Sequence, residues 1–204
     1  MCIRDSSPTI ATVSGDDLVD RVGSLVASGE LRAFGDAELG DPAAYLTANA
    51  YLGGWGIAEA LSLGADIVIT GRVTDAALVC GPAAWHHRWA RDSFDELAGA
   101  VVAGHIIECG AQATGGNYSF FTEIDGRGEV GGRARFGFPW AEVAADGSSI
   151  IGKHPGTGGS VDVGTVTSQL LYEIAGPAYL GPDVTARFDT CLLYTSPSPR
   201  DLST

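Results

Sequence analysis

A short, almost wholly apolar run, Asp66-Ile67-Val68-Ile69-Thr70, set between two helical patterns constrains this chain more than any other feature. A strand without a polar face has no side to turn to water, so it belongs where helices cover both faces of a sheet. Its surroundings fit that place. Residues 45–50 are strand-like, and the turn Tyr51-Leu52-Gly53-Gly54-Trp55-Gly56 leads into a helical pattern over 57–63, stopped by Gly64. Beyond the apolar run, Gly71-Arg72-Val73 turns the chain, and Thr74 or Asp75 is placed to cap a helix opening at Ala76. Strand–helix–strand–helix order implies parallel strands joined by helical crossovers. The expected fold class is therefore α/β, a mostly parallel sheet with helices on both faces.

The flanking sequence extends this pattern. Residues 7–13 read as the end of a strand, and Asp17 is placed to cap an amphipathic helix through Leu18, Val22 and Leu25. Ser93 opens a second helix, with Asp95 and Glu96 in the first turn, where the dipole favours acids. Its pattern runs to about residue 112, before Thr114-Gly115-Gly116-Asn117 stops it. Residues 124–136 form an irregular stretch. A β-hairpin excursion follows, with strands over 140–144 and 149–152 around Ala145-Asp146-Gly147-Ser148. The last pattern is a helix through Val166, Leu170 and Ile174.

The ends read differently. Met1-Cys2-Ile3-Arg4-Asp5-Ser6 can be coded by ATG TGT ATA AGA GAC AGN, and Cys191-Leu192-Leu193-Tyr194-Thr195-Ser196 by TGT CTC TTA TAC ACA TCT. Over their shared stretch these strings are reverse complements, as one inserted sequencing adaptor read from both sides would give. Residues 1–6 and 191–204 are therefore expected to be adaptor-derived, leaving 7–190 as an α/β domain truncated at both ends.

Charge and cysteine content narrow the function classes. The formal charge of −13 is the same with or without the ends, because each carries one Arg and one Asp. Such acidity argues against nonspecific nucleic-acid binding, which needs a Lys/Arg surface to displace phosphate counterions. It leaves room for a small anion held by one local cationic pocket. Cys80 and Cys109, the cysteines inside 7–190, form neither a disulfide framework nor a zinc ribbon. No stretch is apolar for long enough to span a bilayer. The expected setting is a reducing cytoplasm without membrane or nucleic-acid partners.

Ligands of parallel sheets collect beyond the carboxyl ends of the strands. Three loops answer to that place. The first holds Asn49, Tyr51, Gly53 and Gly54 without the spacing of a dinucleotide fingerprint. The second carries Arg72, a planar fork donor suited to carboxylate or phosphate, and Asp75, which would orient the guanidinium, pair with it or cap the helix. The third, Gly156-Thr157-Gly158-Gly159-Ser160 behind Lys153, offers successive backbone amides as a concavity for an anion; it is not a Walker A loop, since Lys153 precedes the glycines.

A fourth feature lies within the second helical pattern. His105, Glu108, Cys109 and Gln112 are spaced i, i+3, i+4 and i+7, so a continuous helix would set them on one face among valines and isoleucines. A polar stripe there needs either a cavity or a satisfied network. His105 is the candidate acid–base group with Glu108 raising its basicity, Cys109 the candidate nucleophile, and Gln112 an orienting amide. A purely structural His–Glu–Gln network would have the same spacing. No metal ligand set is expected.

Six ordered blocks carry a family resemblance: NAYLG (49–53), GADIVITGRVTDAAL (64–78), GHIIECGAQATGGN (104–117), GFPWAEVAADGS (137–148), KHPGTGGSVDVGTV (153–166) and QLLYEIAGPAYLGPDV (169–184). Together they resemble the N-terminal core of acyclic terpene utilisation proteins of the AtuA type. The resemblance implies an α/β domain and a part in the breakdown of branched terpenes such as citronellol and geraniol, which proceeds through acyl-CoA intermediates. With the anion-suited loops, the expected ligand is a small anionic acyl substrate, in which a CoA moiety would enter as part of the substrate; no cofactor is identified from the sequence. Either an acyl-CoA-processing enzyme of lyase or hydrolase type, or a noncatalytic subunit of an acyl-CoA-processing complex, would fit; a homo-oligomer is the other expected assembly.

Overall fold

The computed structural model describes residues 7–127 and 135–194, with side chains omitted for 125–127. Both outer parts of the adaptor reading, 1–6 and 195–204, and part of the irregular stretch 124–136 lie outside the described residues.

Strand β1 (Ile10–Val13) enters a crossover holding a 3-10 turn (Val19–Arg21), helix α1 (Val22–Ala27), a second 3-10 turn (Pro42–Ala44) and helix α2 (Trp55–Ser62). The crossover returns as strand β2 (Ile67–Thr70), which pairs parallel with β1 in the register Ile10 to Ile67 through Val13 to Thr70. Helices α3 (Ala77–His87) and α4 (Phe94–Ile107) follow, then the hairpin β3 (Pro139–Val143) and β4 (Ser149–Lys153), helix α5 (Val163–Leu170), and a second hairpin β5 (Ala178–Leu180) and β6 (Thr185–Arg187).

The fold is thus mixed helix and strand, and the expectation of a mostly parallel sheet is corrected. Among the described residues one two-stranded sheet is parallel, and two are antiparallel hairpins. Residues 45–50 supply no third parallel strand. Their backbone is spent on the loop after β1 instead: Leu18 N donates to Ala48 O at 2.7 Å and Ala50 N to Asp16 O at 2.7 Å. Helices on both faces are corrected as well. The alternate residues Ala11, Val13, Val68 and Thr70 are half-buried, and Val13 fills the space where a Cβ on Gly56 of α2 would stand. The opposite face, Ile10, Ile67 and Ile69, is 56, 45 and 55% exposed.

Small residues bring the helices close. A Cβ on Gly81 of α3 would stand 2.6 Å from the Gly54 carbonyl oxygen, and one on Gly104 of α4 would stand 2.8 Å from Ala76 Cα. Side chains are absent at these crossings because the backbones meet there. The main core gathers Ala76, Cys80, Ala84, Leu97, Ala100 and Ala186 between α3, α4 and β6; a second cluster joins Ile106, Ala113, Val166 and Leu170 where α4 meets α5. The hairpin β3–β4 is tied to the end of α3 by polar groups. His87 Nε2 donates to Val143 O at 3.0 Å, and Trp89 Nε1 donates to Ala145 O at 2.9 Å. Helix α4 ends at Ile107, five residues short of the expected limit, and the chain tightens into a 3-10 turn at Gly110–Gln112, with Gly110 at φ +55°. Likewise α5 stops at Leu170, before Ile174, and Glu173 adopts a left-handed φ of 57°.

Candidate functional site

The carboxyl ends of β1 and β2 lead directly into the loops that sequence reasoning singled out. Asp16, three residues past β1, is almost fully buried and organises them. Its Oδ2 accepts from Asn49 Nδ2 at 2.9 Å and from the backbone N–H of Arg72 at 2.8 Å. The Arg72 amide, ahead of Asn49, holds the Asp16 carboxyl below its usual value, against the opposing effect of desolvation. A Cβ on Gly71 would fall on this carboxylate, so a glycine is the residue that lets β2 reach it. Leu52 N donates to Arg72 O at 3.0 Å and Thr74 N to Leu52 O at 2.8 Å, which fixes the two loops side by side. The exposed Arg72 guanidinium then lies over the Tyr51 ring, 5.3 Å from its centroid. No ion pair joins it to Asp75 or to any other described acid.

Sequence reasoning missed Asp16 as a site residue. The available signal is an aspartate doublet after Gly15, directly behind an apolar strand, of which the sequence pattern singles out only Asp17, as a helix cap. Asp183 was missed too. Its Oδ2 accepts from Gly54 N at 2.7 Å, closing the loop from 129 residues away.

Asp75 lies apart from Arg72 in its interactions. Its charge acts instead on Cys109 and Tyr179, along with Glu108 and Glu173, at the far end of α4. There His105 is wholly enclosed. Its ring lies 4.9 Å from that of Tyr179 and 5.3 Å from that of Phe188, and Nδ1 lies 3.2 Å from Glu108 Oε1. That distance lies within hydrogen-bond range, but the two groups are not aligned for one. Both ring nitrogens and Glu108 Oε2 are buried without a hydrogen-bond partner. Burial pushes the Cys109 thiol up; a hydrogen bond with Gln169 opposes this, while Glu108, Glu173 and Asp75 add to it. A thiol so placed is protonated at neutral pH, which is the unreactive form. The side-chain amide that bonds here is that of Gln169: Nε2 donates to the backbone His105 O at 3.1 Å, and Oε1 accepts from Asn117 Nδ2 at 2.6 Å. Gln112 falls in the 3-10 turn, so the four-residue stripe of a continuous helix is broken after Glu108.

The glycine loop is folded on itself. Lys153 Nζ donates to Thr157 O at 2.9 Å, and Thr157 Oγ1 to His154 O at 2.6 Å. Gly158 N donates to Arg135 O at 2.7 Å and Ser160 N to Thr114 O at 2.9 Å. Gly156 is exposed at φ +76°, and Gly159 packs on Thr114 at φ +83°. The N-terminus of α5 receives the protein's own carboxylate, since Asp162 Oδ1 accepts from Gly164 N at 2.9 Å and Thr165 N at 3.1 Å in a capping box.

The structure therefore brings Asn49 and Arg72 together around Asp16, and His105, Glu108 and Cys109 together near Asp75. Gly156–Ser160 and Lys153 form a third group. Among the described residues no set of His, Cys, Asp and Glu is arranged to hold a metal ion, and no helix is long and apolar enough to cross a membrane. Against known proteins, a family model described as acyclic terpene utilisation family protein AtuA matches residues 4–199. No curated protein and no solved structure matches.

Proposed function

The chain belongs to the acyclic terpene utilisation family AtuA, and from that membership we propose a catabolic domain that binds an anionic acyl substrate, a branched carboxylate or its CoA thioester, through Arg72. One observation carries this reading: an exposed guanidinium without a described acidic partner, braced on Tyr51 and rooted through its own amide on Asp16, just beyond two parallel strands. A fork donor in that place gives a carboxylate or phosphate two parallel hydrogen bonds. Asn49 and Asp16 hold the loop in register; Lys153 and the 156–160 loop are a secondary anion site whose amides must first release their present acceptors. Proton transfer falls to Glu108, with His105 behind it and Asp75 nearby, and Cys109 contributes a protonated thiol.

The test is binding of an acyclic C10 terpenoid carboxylate by calorimetry. Arg72→Ala is expected to weaken binding at least tenfold, as loss of a charge-assisted pair of about 1.5–3 kcal/mol requires, and Arg72→Lys to restore only part of it. Unchanged affinity in Arg72→Ala would sink the assignment. A noncatalytic binding subunit is the second reading, and the enclosure of His105 favours it. Turnover of a terpenoid acyl-CoA by the isolated chain rejects that reading. A stoichiometric complex with an acyl-CoA enzyme, without turnover by the chain alone, supports it.

A further inference from the structure

Resting on the reading of an acyclic terpenoid ligand, we propose that the cleft between α4, the β3–β4 hairpin and the start of α5 takes the hydrocarbon end of that ligand. The cleft has a volume of about 880 Å³, within the range of small-molecule sites. Ala98, Val102 and Ile106 come from one face of α4, four residues apart; Ile151 faces it from β4, Val161 from the loop before α5 and Val166 from α5. These side chains carry no donor or acceptor, so water lodged against them gives up hydrogen bonds, whereas a chain of saturated carbons loses none.

The rim sets the direction of entry. Asp95 stands on the lining, and the lining's described cation, Arg187, is held by Asp189 through bonds of 3.0 and 2.7 Å. A carboxylate or phosphate is therefore disfavoured inside, and the apolar end enters first. Val184 also lines the cleft, while its neighbour Asp183 bonds Gly54 N in the loop that carries Tyr51. The turn Gly181–Val184 thus touches both the cleft and the head-group loop. Thr190 stands at one side of the cleft; Cys191 to Tyr194 also line it but fall in the stretch expected to be adaptor-derived, so the site is built from α4, β4 and the start of α5.

Calorimetry on the full chain with three probes separates the two sites: an acyclic C10 terpenoid carboxylate, the matching C10 alcohol and a C6 carboxylate. Each buried methylene multiplies affinity about fourfold, so the C6 probe should bind on the order of a hundredfold more weakly than its C10 counterpart. Ala98→Trp and Val161→Phe fill the cleft from opposite walls, and each should weaken both C10 probes at least tenfold. Arg72→Ala should weaken the carboxylates and leave the alcohol unchanged. If the cleft variants lose the C10 alcohol while Arg72→Ala keeps the carboxylate, the cleft stands and the head-group reading falls. The cleft proposal is overturned if both cleft variants, folded by circular dichroism, bind the C10 probes as the wild type does. It is equally overturned if the wild type binds neither C10 probe, or if light scattering finds a dimer that Ala98→Trp dissociates.

Discussion

Two buried acids dominate at the scale of single residues, and they behave differently. Glu108 lies against a fully enclosed imidazole, so His105→Leu leaves it buried without a partner and should cost about 3 kcal/mol in chemical denaturation. The double variant His105→Leu/Glu108→Leu should recover most of that loss, because no buried carboxyl is then left without its neighbour; a double variant as unstable as the single one would contradict the pairing. Asp16 acts through linkage. Its folded pKa lies below the ordinary 3.8, so its stabilising effect is fully present above that value and is lost as pH falls through the folded pKa. Asp16→Asn should therefore melt at a lower temperature than the wild type at pH 7, and the gap should narrow below pH 3.8. The sequence pattern exposed His105 and Glu108 because polar residues stand out against valine and isoleucine. Asp16 was hidden because an aspartate in a turn needs no partner 56 residues away, and only the folded chain supplies the Arg72 amide.

Secondary elements are held by close backbone approach as much as by side chains. Where α2 meets α3, the Gly54 carbonyl oxygen stands 2.6 Å from the position of a Cβ on Gly81. Gly81→Ala forces the helices apart and should destabilise by about 1–3 kcal/mol in urea unfolding; a neutral result would show that the crossing can relax. The helices were legible from periodicity and the β3–β4 hairpin from the Ala145–Ser148 turn, whereas none of the expected caps, Asp17, Thr74 or Asp75, and Ser93, makes a side-chain cap on its α-helix. The parallel sheet was legible only as β1 with β2. An apolar tetrapeptide records that a strand exists, not how many neighbours it has, and Ile67 and Ile69 are largely exposed here. The polar stripe on α4 was half legible: His105 and Glu108 meet, whereas Gly110, at a left-handed φ, ends the helical geometry that would have aligned Gln112. The Arg72 loop was legible because a lone cation follows a strand.

On the scale of the whole molecule, the described residues form three separate two-stranded sheets around a helical core. Contiguous isoleucines on one face of the parallel pair favour association once concentration rises, despite a formal charge of −13. Light scattering over a concentration series should show growth in apparent mass that Ile69→Lys suppresses and that added salt restores by screening. Equal association in both proteins would place the contact elsewhere. Asp183 reaches back to Gly54 across 129 residues. During synthesis, α2 must therefore leave the ribosome with its amino end untied. Closing that loop waits on the last hairpin, because Asp183 lies in the turn between β5 and β6, whereas the Tyr51–Arg72 shelf is already fixed by bonds within residues 16–74.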